Sequence, residues 1–169
     1  MTADIFQAKT DTRSALAGLD ALTGELATHL ARSMAVAGGQ VIRDEAILLA
    51  PEDSGRLKSA IYLAFKDGRS DENNVTYSIT WNAKKAPHGH LQEFGHWQYY
   101  AAYKGADGEW YTNKSAPLDA PRWMPAHPFL RPALDSAGDR AQQAMIARGR
   151  ERLPELLQST YQPRDEEFV

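Results

Sequence analysis

The sequence predicts an α+β fold, with a helix at each end of the chain and antiparallel strands between them. Three observations carry this reading. Apolar residues recur at helical spacing through the first fifty positions, VTYSITWN alternates residue by residue, and a helical face of small residues returns after Pro132. Helices and strands segregated in this way along a chain mark the α+β class, whereas a regular β-α-β alternation would mark a parallel sheet.

The first helix is predicted from about Asp11 to Ala50. Leu16, Leu19, Leu22, Leu26, Leu30 and Met34 fall three or four residues apart and draw one apolar stripe. Asp11 or Thr12 can cap its start by accepting backbone N–H groups that the first turn leaves open. Gly38-Gly39 interrupts the stripe, and each glycine costs a helix about 1 kcal/mol relative to alanine. A bent or broken helix is therefore expected there, with a hinge and close packing against a neighbour both open as reasons. The stripe resumes at Val41, Ile42, Leu48 and Leu49, and Pro51 ends it.

Glu52-Asp53-Ser54-Gly55 reads as a tight turn, with a positive φ at Gly55 and Asp53 or Ser54 bonded back to the backbone. Arg56 to Ile61 is a short helical turn leading into a strand. YLAFK from Tyr62 and VTYSITWN from Val75 are the two strands, separated by the polar KDGRSDENN, and so form an antiparallel hairpin. In the second strand Val75, Tyr77, Ile79 and Trp81 share one face, and Thr76, Ser78 and Thr80 the other.

Seven of the sixteen aromatic residues lie between Trp97 and Trp123. Gly105 to Gly108 separates QYYAAY from EWYT, which predicts a second hairpin inserted in a long connection. The stretch SAPLDAPRWMPAHP holds too many prolines for regular structure and is expected to be irregular. Trp97, Tyr99, Tyr100, Tyr103, Trp110, Tyr111 and Trp123 are candidate partner contacts, because Tyr and Trp dominate interface anchors; a satellite core beneath the loop is the competing reading. The last helix starts at Pro132, whose missing N–H costs nothing in a first turn. Its face is Ala133, Leu134, Ala137, Ala141, Ala144 and Met145, with Pro154 as an expected break.

At 169 residues the chain suits one domain over residues 1–160, with 97–127 as the insertion and 161–169 as a polar tail. Hydrophobic residues make up 43% and charged residues 24%, which is ordinary for a globular protein. Mean hydropathy is −0.52, no apolar run has the length of a membrane span, and the N-terminus lacks the pattern of a secretory signal. With no cysteine there is neither a disulfide framework nor thiolate chemistry, which points to the cytosol or to particles assembled there. The net charge of −3 excludes a polycation built to wrap nucleic acid. Arg140, Arg148, Arg150 and Arg152, interspersed with Asp139 and Glu151, read as a solvated helix face.

Catalytic signatures are scarce. The phosphate-binding loop, the G-x-S-x-G elbow and H-E-x-x-H are all missing. Asp53-Ser54-Gly55-Arg56 sets a serine beside an acid, but a nucleophile needs a base in reach, and a turn explains the same residues. HGHLQEFGH, His88 to His96, is the remaining candidate. His88, His90 and Glu93, with His127, offer imidazoles and a carboxylate that a first-row metal could use in a metal-dependent hydrolase. The structural alternative, which the spacing favours, has Gly89 and Gly95 setting turns, Leu91 and Phe94 packing inward, and Glu93 making a buried or interfacial hydrogen bond. On that reading no cofactor or metal is needed. A third possibility is a regulatory or toxin-like module that docks a protein through Trp97 to Trp123.

Three stretches taken in order resemble a known family. APEDSGRLKSAI, Ala50 to Ile61, is similar to the AP-x-D-T/S-G-x-L-x-x-S-I segment of the neck or tail-completion proteins of long-tailed bacteriophages. HLQEFGH, His90 to His96, resembles that family's segment built around a glutamate and a glycine, and PAHPFLRPALD, Pro125 to Asp135, resembles its lead-in to the C-terminal helix. The resemblance implies a small, mostly antiparallel sheet packed on a long N-terminal and a C-terminal helix. It implies a non-enzymatic virion protein at the head–tail junction, one subunit of a homo-oligomeric ring that touches other neck and tail proteins such as a tail terminator or head-completion protein. Asp53, Ser54, Gly55, Leu57, Glu93, Gly95, Phe129, Leu130 and Pro132 would carry its turns and interfaces. DNA would pass through the lumen without specific binding, which a mildly acidic chain suits, and no membrane is involved. The aromatic insertion after Gly95 is longer than that family's pattern.

Overall fold

The computed structural model describes residues 24–160, apart from 53, 54, 72, 73, 107 and 109. Leu16, Leu19 and Leu22, the capping Asp11 and Thr12, and the tail from residue 161 lie outside the described residues, as do Asp53 and Ser54. Two long helices form the frame. Helix α1 spans Gly24–Leu49 and helix α3 spans Leu130–Thr160. Between them come a 3-10 turn at Lys58–Ala60, strand β1 (Ile61–Phe65), a 3-10 turn at Asp67–Arg69, strand β2 (Tyr77–Trp81), the short helix α2 (Gly89–Phe94), and strands β3 (His96–Lys104) and β4 (Trp110–Met124).

The helices run antiparallel, and their pairings fix the register. The Glu45 carboxylate accepts from Ser136 Oγ at 3.2 Å and pairs with Arg140, and Arg148 Nε donates to Ser33 Oγ at 3.0 Å. Small residues bring the backbones together between these points. A Cβ added to Gly38 would lie 2.5 Å from Met145 Cγ and 3.1 Å from the Ala141 carbonyl oxygen, and one on Gly149 would lie 2.9 Å from Met34 Sδ. The Gly38-Gly39 pair therefore does not break the helix. It pays its propensity cost to let α3 and the Leu63 side chain of β1 approach, and α1 stays continuous.

Pro154 is a second correction, since α3 continues through it to Thr160. Leu153 and Leu156 on either side pack with Leu26, Leu30, Met34 and Met145. That apolar cluster holds the last turns in place where an isolated helix would stop.

The expected small sheet is two separate two-stranded ribbons. β1 and β2 pair antiparallel with Ile61 opposite Trp81 and Leu63 opposite Ile79, so these four apolar residues share the face turned to the helices. The main core joins that face to Ile42, Ala46 and Ala50 of α1 and to Phe129, Leu130, Ala133, Ala137 and Ala141 around the start of α3. Ser78, on the opposite face, is also buried, and its hydroxyl has no hydrogen-bond partner among the described residues.

β3 and β4 form the second ribbon. Strand runs through SAPLDAPRWM, which the prolines were expected to leave irregular, and the irregularity takes the form of broken pairing between Asn113 and Arg122. The register explains how. β4 has 15 residues against 9 in β3, and the six extra are absorbed in two register shifts around Tyr100, with Pro117 facing Tyr100 between them. A two-stranded ribbon has two open edges, so a proline that cannot donate is tolerated at a bulge or an outward-facing position.

Candidate partner interface

The turn after α1 anchors itself in the core. The Gly55 carbonyl accepts the Ser59 N–H at 3.1 Å, the Leu57 carbonyl accepts the Ala60 N–H at 2.9 Å, and Ser59 Oγ donates to the Arg56 carbonyl. Gly55 has φ +71°, with nothing within 4 Å of where a Cβ would stand, so it is kept for backbone conformation and not for space. Leu57 is buried in the same core cluster as Phe129 and Trp81. On the solvent side Lys58 Nζ donates to Glu52 Oε2 at 2.6 Å, and this bond with the ammonium charge holds the Glu52 carboxyl below its ordinary pKa.

The HGHLQEFGH stretch forms α2 and its flanks, and Glu93 is its centre. Although a carboxylate, it is only 7% exposed. Glu93 Oε2 accepts the backbone N–H of Phe129 at 2.8 Å and that of Leu130 at 3.2 Å. Those are donors that the first turn of α3 leaves open, and the helix dipole favours a negative charge at that end. The His127 N–H donates to the Gln92 carbonyl at 2.7 Å, so the second and third motifs close on each other. Gly95 ends α2 with φ +72° and donates its N–H to the Leu91 carbonyl. A Cβ there would lie 2.8 Å from the Met124 carbonyl oxygen and 2.9 Å from the Ala126 nitrogen. Pro132 falls in the first turn of α3, half-buried, with Phe129 and Leu130 fully in the core.

Phe94 departs from expectation. It is 55% exposed, because α2 has six residues and presents only one side to the core. Leu91 is half-buried.

The hydrolase reading finds no geometry to support it. Glu93 is committed to the start of α3, His90 and His127 are exposed, and His88 is half-buried. Among the described residues no three His, Cys, Asp or Glu side chains come together as a set that could hold a metal ion.

The ribbon carries its aromatics in the open. Trp97, Tyr99, Tyr100, Tyr103, Trp110, Tyr111 and Trp123 are all exposed, Trp110 to 62%. Cross-strand partners organise them: Trp97 meets Trp123 edge-to-face at 5.4 Å, Tyr103 meets Tyr111 at 5.8 Å, and Lys104 Nζ sits 6.0 Å from the Trp110 ring centre. The ribbon, Pro51 and Gly55 to Leu57, and α2 with His88 line a groove of about 690 Å³. The imidazole Nδ1 of His96, a residue of its wall, is buried without a hydrogen-bond partner among the described residues.

Two contacts escaped the sequence reading. The Trp81 indole lies against the backbone of Gly89, where a Cβ would stand 2.4 Å from Nε1, and packs on Phe129 at 6.1 Å between ring centres. The Gln92–His127 bond joins backbone atoms, so no side-chain pattern announces it.

Residues 14–95 match the family model described as "Bacteriophage HK97-gp10, putative tail-component". The matched region contains the first motif and the second as far as Gly95, and stops where β3 begins, leaving the aromatic ribbon and α3 outside it. No curated protein and no solved structure matches the chain.

Proposed function

We propose, from the match of residues 14–95 to the HK97 gp10-like family of bacteriophage tail components, that the chain is a ring-forming neck or tail-completion subunit acting where the tail joins the head. The observation that carries this reading is the form of its exposed surface. Seven aromatic side chains stand on a two-stranded ribbon, although two strands alone are marginally stable in water and exposed apolar patches of this kind mark interfaces. A protein whose work is to bury surface against neighbours needs such anchors. It needs no polar reaction centre.

Head-to-tail contacts around a ring use two different patches per subunit. The ribbon is one candidate and the outer faces of the two long helices are the other. Asp53, Ser54, Gly55, Leu57, Glu93, Gly95, Phe129, Leu130 and Pro132 would hold the frame that presents them, within a single domain over residues 1–160. The partners would be further copies of the chain and other neck and tail proteins, in the virion, with DNA passing through the lumen unbound. Among the described residues no helix is long and apolar enough to cross a membrane.

Deleting the gene from the phage that encodes it and viewing lysates by negative-stain electron microscopy tests this. Filled heads beside finished, unattached tails are expected. Intact virions in normal numbers would overturn the proposal.

A further inference from the structure

The outer edge of β1 can be read from the bonds that flank the β1–β2 ribbon. The Asn82 N–H donates to the Ala60 carbonyl at 3.0 Å and the Lys66 N–H to the Thr76 carbonyl at 2.9 Å, continuing the strand register one residue beyond each end. Both bonds join residues directly opposite each other. An antiparallel ladder alternates, so between those two positions Tyr62 and Ala64 carry the bonds to β2. The intervening residues turn their backbone groups outward. These are the N–H and C=O of Leu63 and of Phe65, and the C=O of Ile61, whose own N–H donates to the Lys58 carbonyl. Among the described residues no backbone hydrogen bond reaches these outward groups.

β1 is also the more open of the two strands. In β2 Ser78, Ile79 and Trp81 are buried, whereas in β1 only Ile61 is, and Tyr62 stands 45% exposed. Natural edge strands are kept from pairing by charges, prolines or bulges. The β3–β4 ribbon has all three, in Lys114, Asp119 and Arg122, in Pro117 and Pro121, and in its two register shifts. IYLAF has no charge, no proline and an unbroken register.

We infer that β1 pairs antiparallel with β1 of a second copy, about a twofold axis at Leu63, and so joins two two-stranded ribbons into one sheet of four strands. The Leu63 N–H then donates to the Leu63 carbonyl of the second copy, and the Phe65 N–H to its Ile61 carbonyl. Symmetry repeats both bonds. Every outward N–H of the edge finds an acceptor, in ladder positions that the fold has already set.

Charge and size select a second copy as the occupant. Residues near a twofold axis meet their own kind, so a charge there would face itself, and from Ile61 to Phe65 there is none. On the solvent side Tyr62 falls opposite Ala64 of the second copy, a large ring beside a small side chain. On the helix side Ile61 falls opposite Phe65, and Leu63 opposite itself. Two strands alone are marginal in water, and a sheet of more strands packed on helices is not. The contact uses no residue of the aromatic ribbon. It concerns the free subunit and stands or falls apart from the ring reading.

Light scattering and residue-resolved amide hydrogen exchange of the full-length chain test this together. As concentration rises the mass should move from one chain to two, and the Leu63 and Phe65 amides should slow in step with it. The Tyr62→Lys/Ala64→Lys chain, with unchanged helical circular dichroism, should remain single. Because the chain has no cysteine, introduced thiols report the register. Tyr62→Cys and Ala64→Cys chains with tags of different size are mixed and oxidised. The disulfide-linked heterodimer should dominate, because each thiol lies directly opposite the other kind and only diagonally from its own. A chain that stays single at every concentration overturns the inference, as does a dimer whose Leu63 and Phe65 amides exchange unslowed. A lysine variant that pairs like the parent, or disulfides spread at random among the three possible pairs, overturns it equally.

Discussion

The Glu93 carboxylate caps a helix that begins far along the chain: its Oε2 holds the Phe129 N–H at 2.8 Å across 36 residues of sequence. In most helices the cap comes from the residue just before the first turn. Here that position is Phe129 itself, which is buried in the core, so the acceptor is brought in from α2.

Replacing Glu93 by alanine leaves two N–H groups of α3 without their acceptor in a buried place. The expected loss is about 2–4 kcal/mol, from the charged hydrogen bonds and the stranded donors. Glutamine keeps an acceptor oxygen and should lose less. Urea unfolding of the two variants checks the order, and equal stability of all three proteins would contradict the capping role.

The glycines of the helix pair divide by what surrounds them. Gly138 has open space where a Cβ would go, so Gly138→Ala should stabilise the chain by about 0.5–1 kcal/mol through helix propensity. At Gly38 the added methyl would overlap Met145, and Gly38→Ala should destabilise by about 1–3 kcal/mol despite the same propensity gain. Thermal melts of the two variants should move in opposite directions.

A similar contrast separates the turn glycines. Gly55→Ala meets only the left-handed backbone penalty, of about 1–2 kcal/mol. Gly95→Ala adds a clash with the Met124 carbonyl and should cost more, with hydrogen-exchange protection lost first across the His96–Met124 end of the ribbon.

Tryptophan emission reports whether the ribbon is covered. Trp81 is buried, while Trp97, Trp110 and Trp123 are exposed. A Trp81→Phe chain keeps only the exposed three, and its emission should start red-shifted and move to the blue on assembly. An unmoved spectrum in assembled material would mean that the ribbon stays in water.

The Glu52–Lys58 pair makes a small, pH-dependent contribution. The hydrogen bond and the charge of Lys58 lower the folded-state pKa of Glu52 below its ordinary 4.5. Stability from this pair is therefore complete above that value and is lost as the pH falls through the lower, folded-state value. Lys58→Ala should raise the Glu52 titration midpoint followed by carbonyl NMR, and an unchanged midpoint would exclude Lys58 as the cause.

Much of the fold was legible because it depends on local pattern. The stripe from Leu26 through Ile42, the alternation from Tyr77 to Trp81 and the alanine face after Pro132 each follow the period of their own element, whereas Leu48 and Leu49, read as part of that stripe, stand 72% and 42% exposed and Ala46 and Ala50 take the buried positions. What sequence could not supply was context. Gly38-Gly39 resembles a break until Met145 and Leu63 are seen filling the space, and Pro154 resembles one until Leu156 is seen holding the turn beyond it. The prolines of β4 argue against a strand unless both edges of the ribbon are known to be open. At the candidate interface the aromatic content stood out in sequence, but the groove combines residues from Pro51 to Met124 and has no local signature. Phe94 was placed inside by its hydrophobicity, and the brevity of α2 turned it out.

The clasp between Gln92 and His127 gives the ribbon a narrow footing. Its two strands leave the frame at Gly95 and Pro125, between a backbone hydrogen bond on one side and the carboxylate cap on the other. A tug on the ribbon tip would pass through this footing into the first turn of α3 and spread as shear along the α1–α3 seam. Pulled by its tip, the ribbon is therefore expected to part from the frame first at this footing, where the His127–Gln92 and Phe129–Glu93 hydrogen bonds take the load.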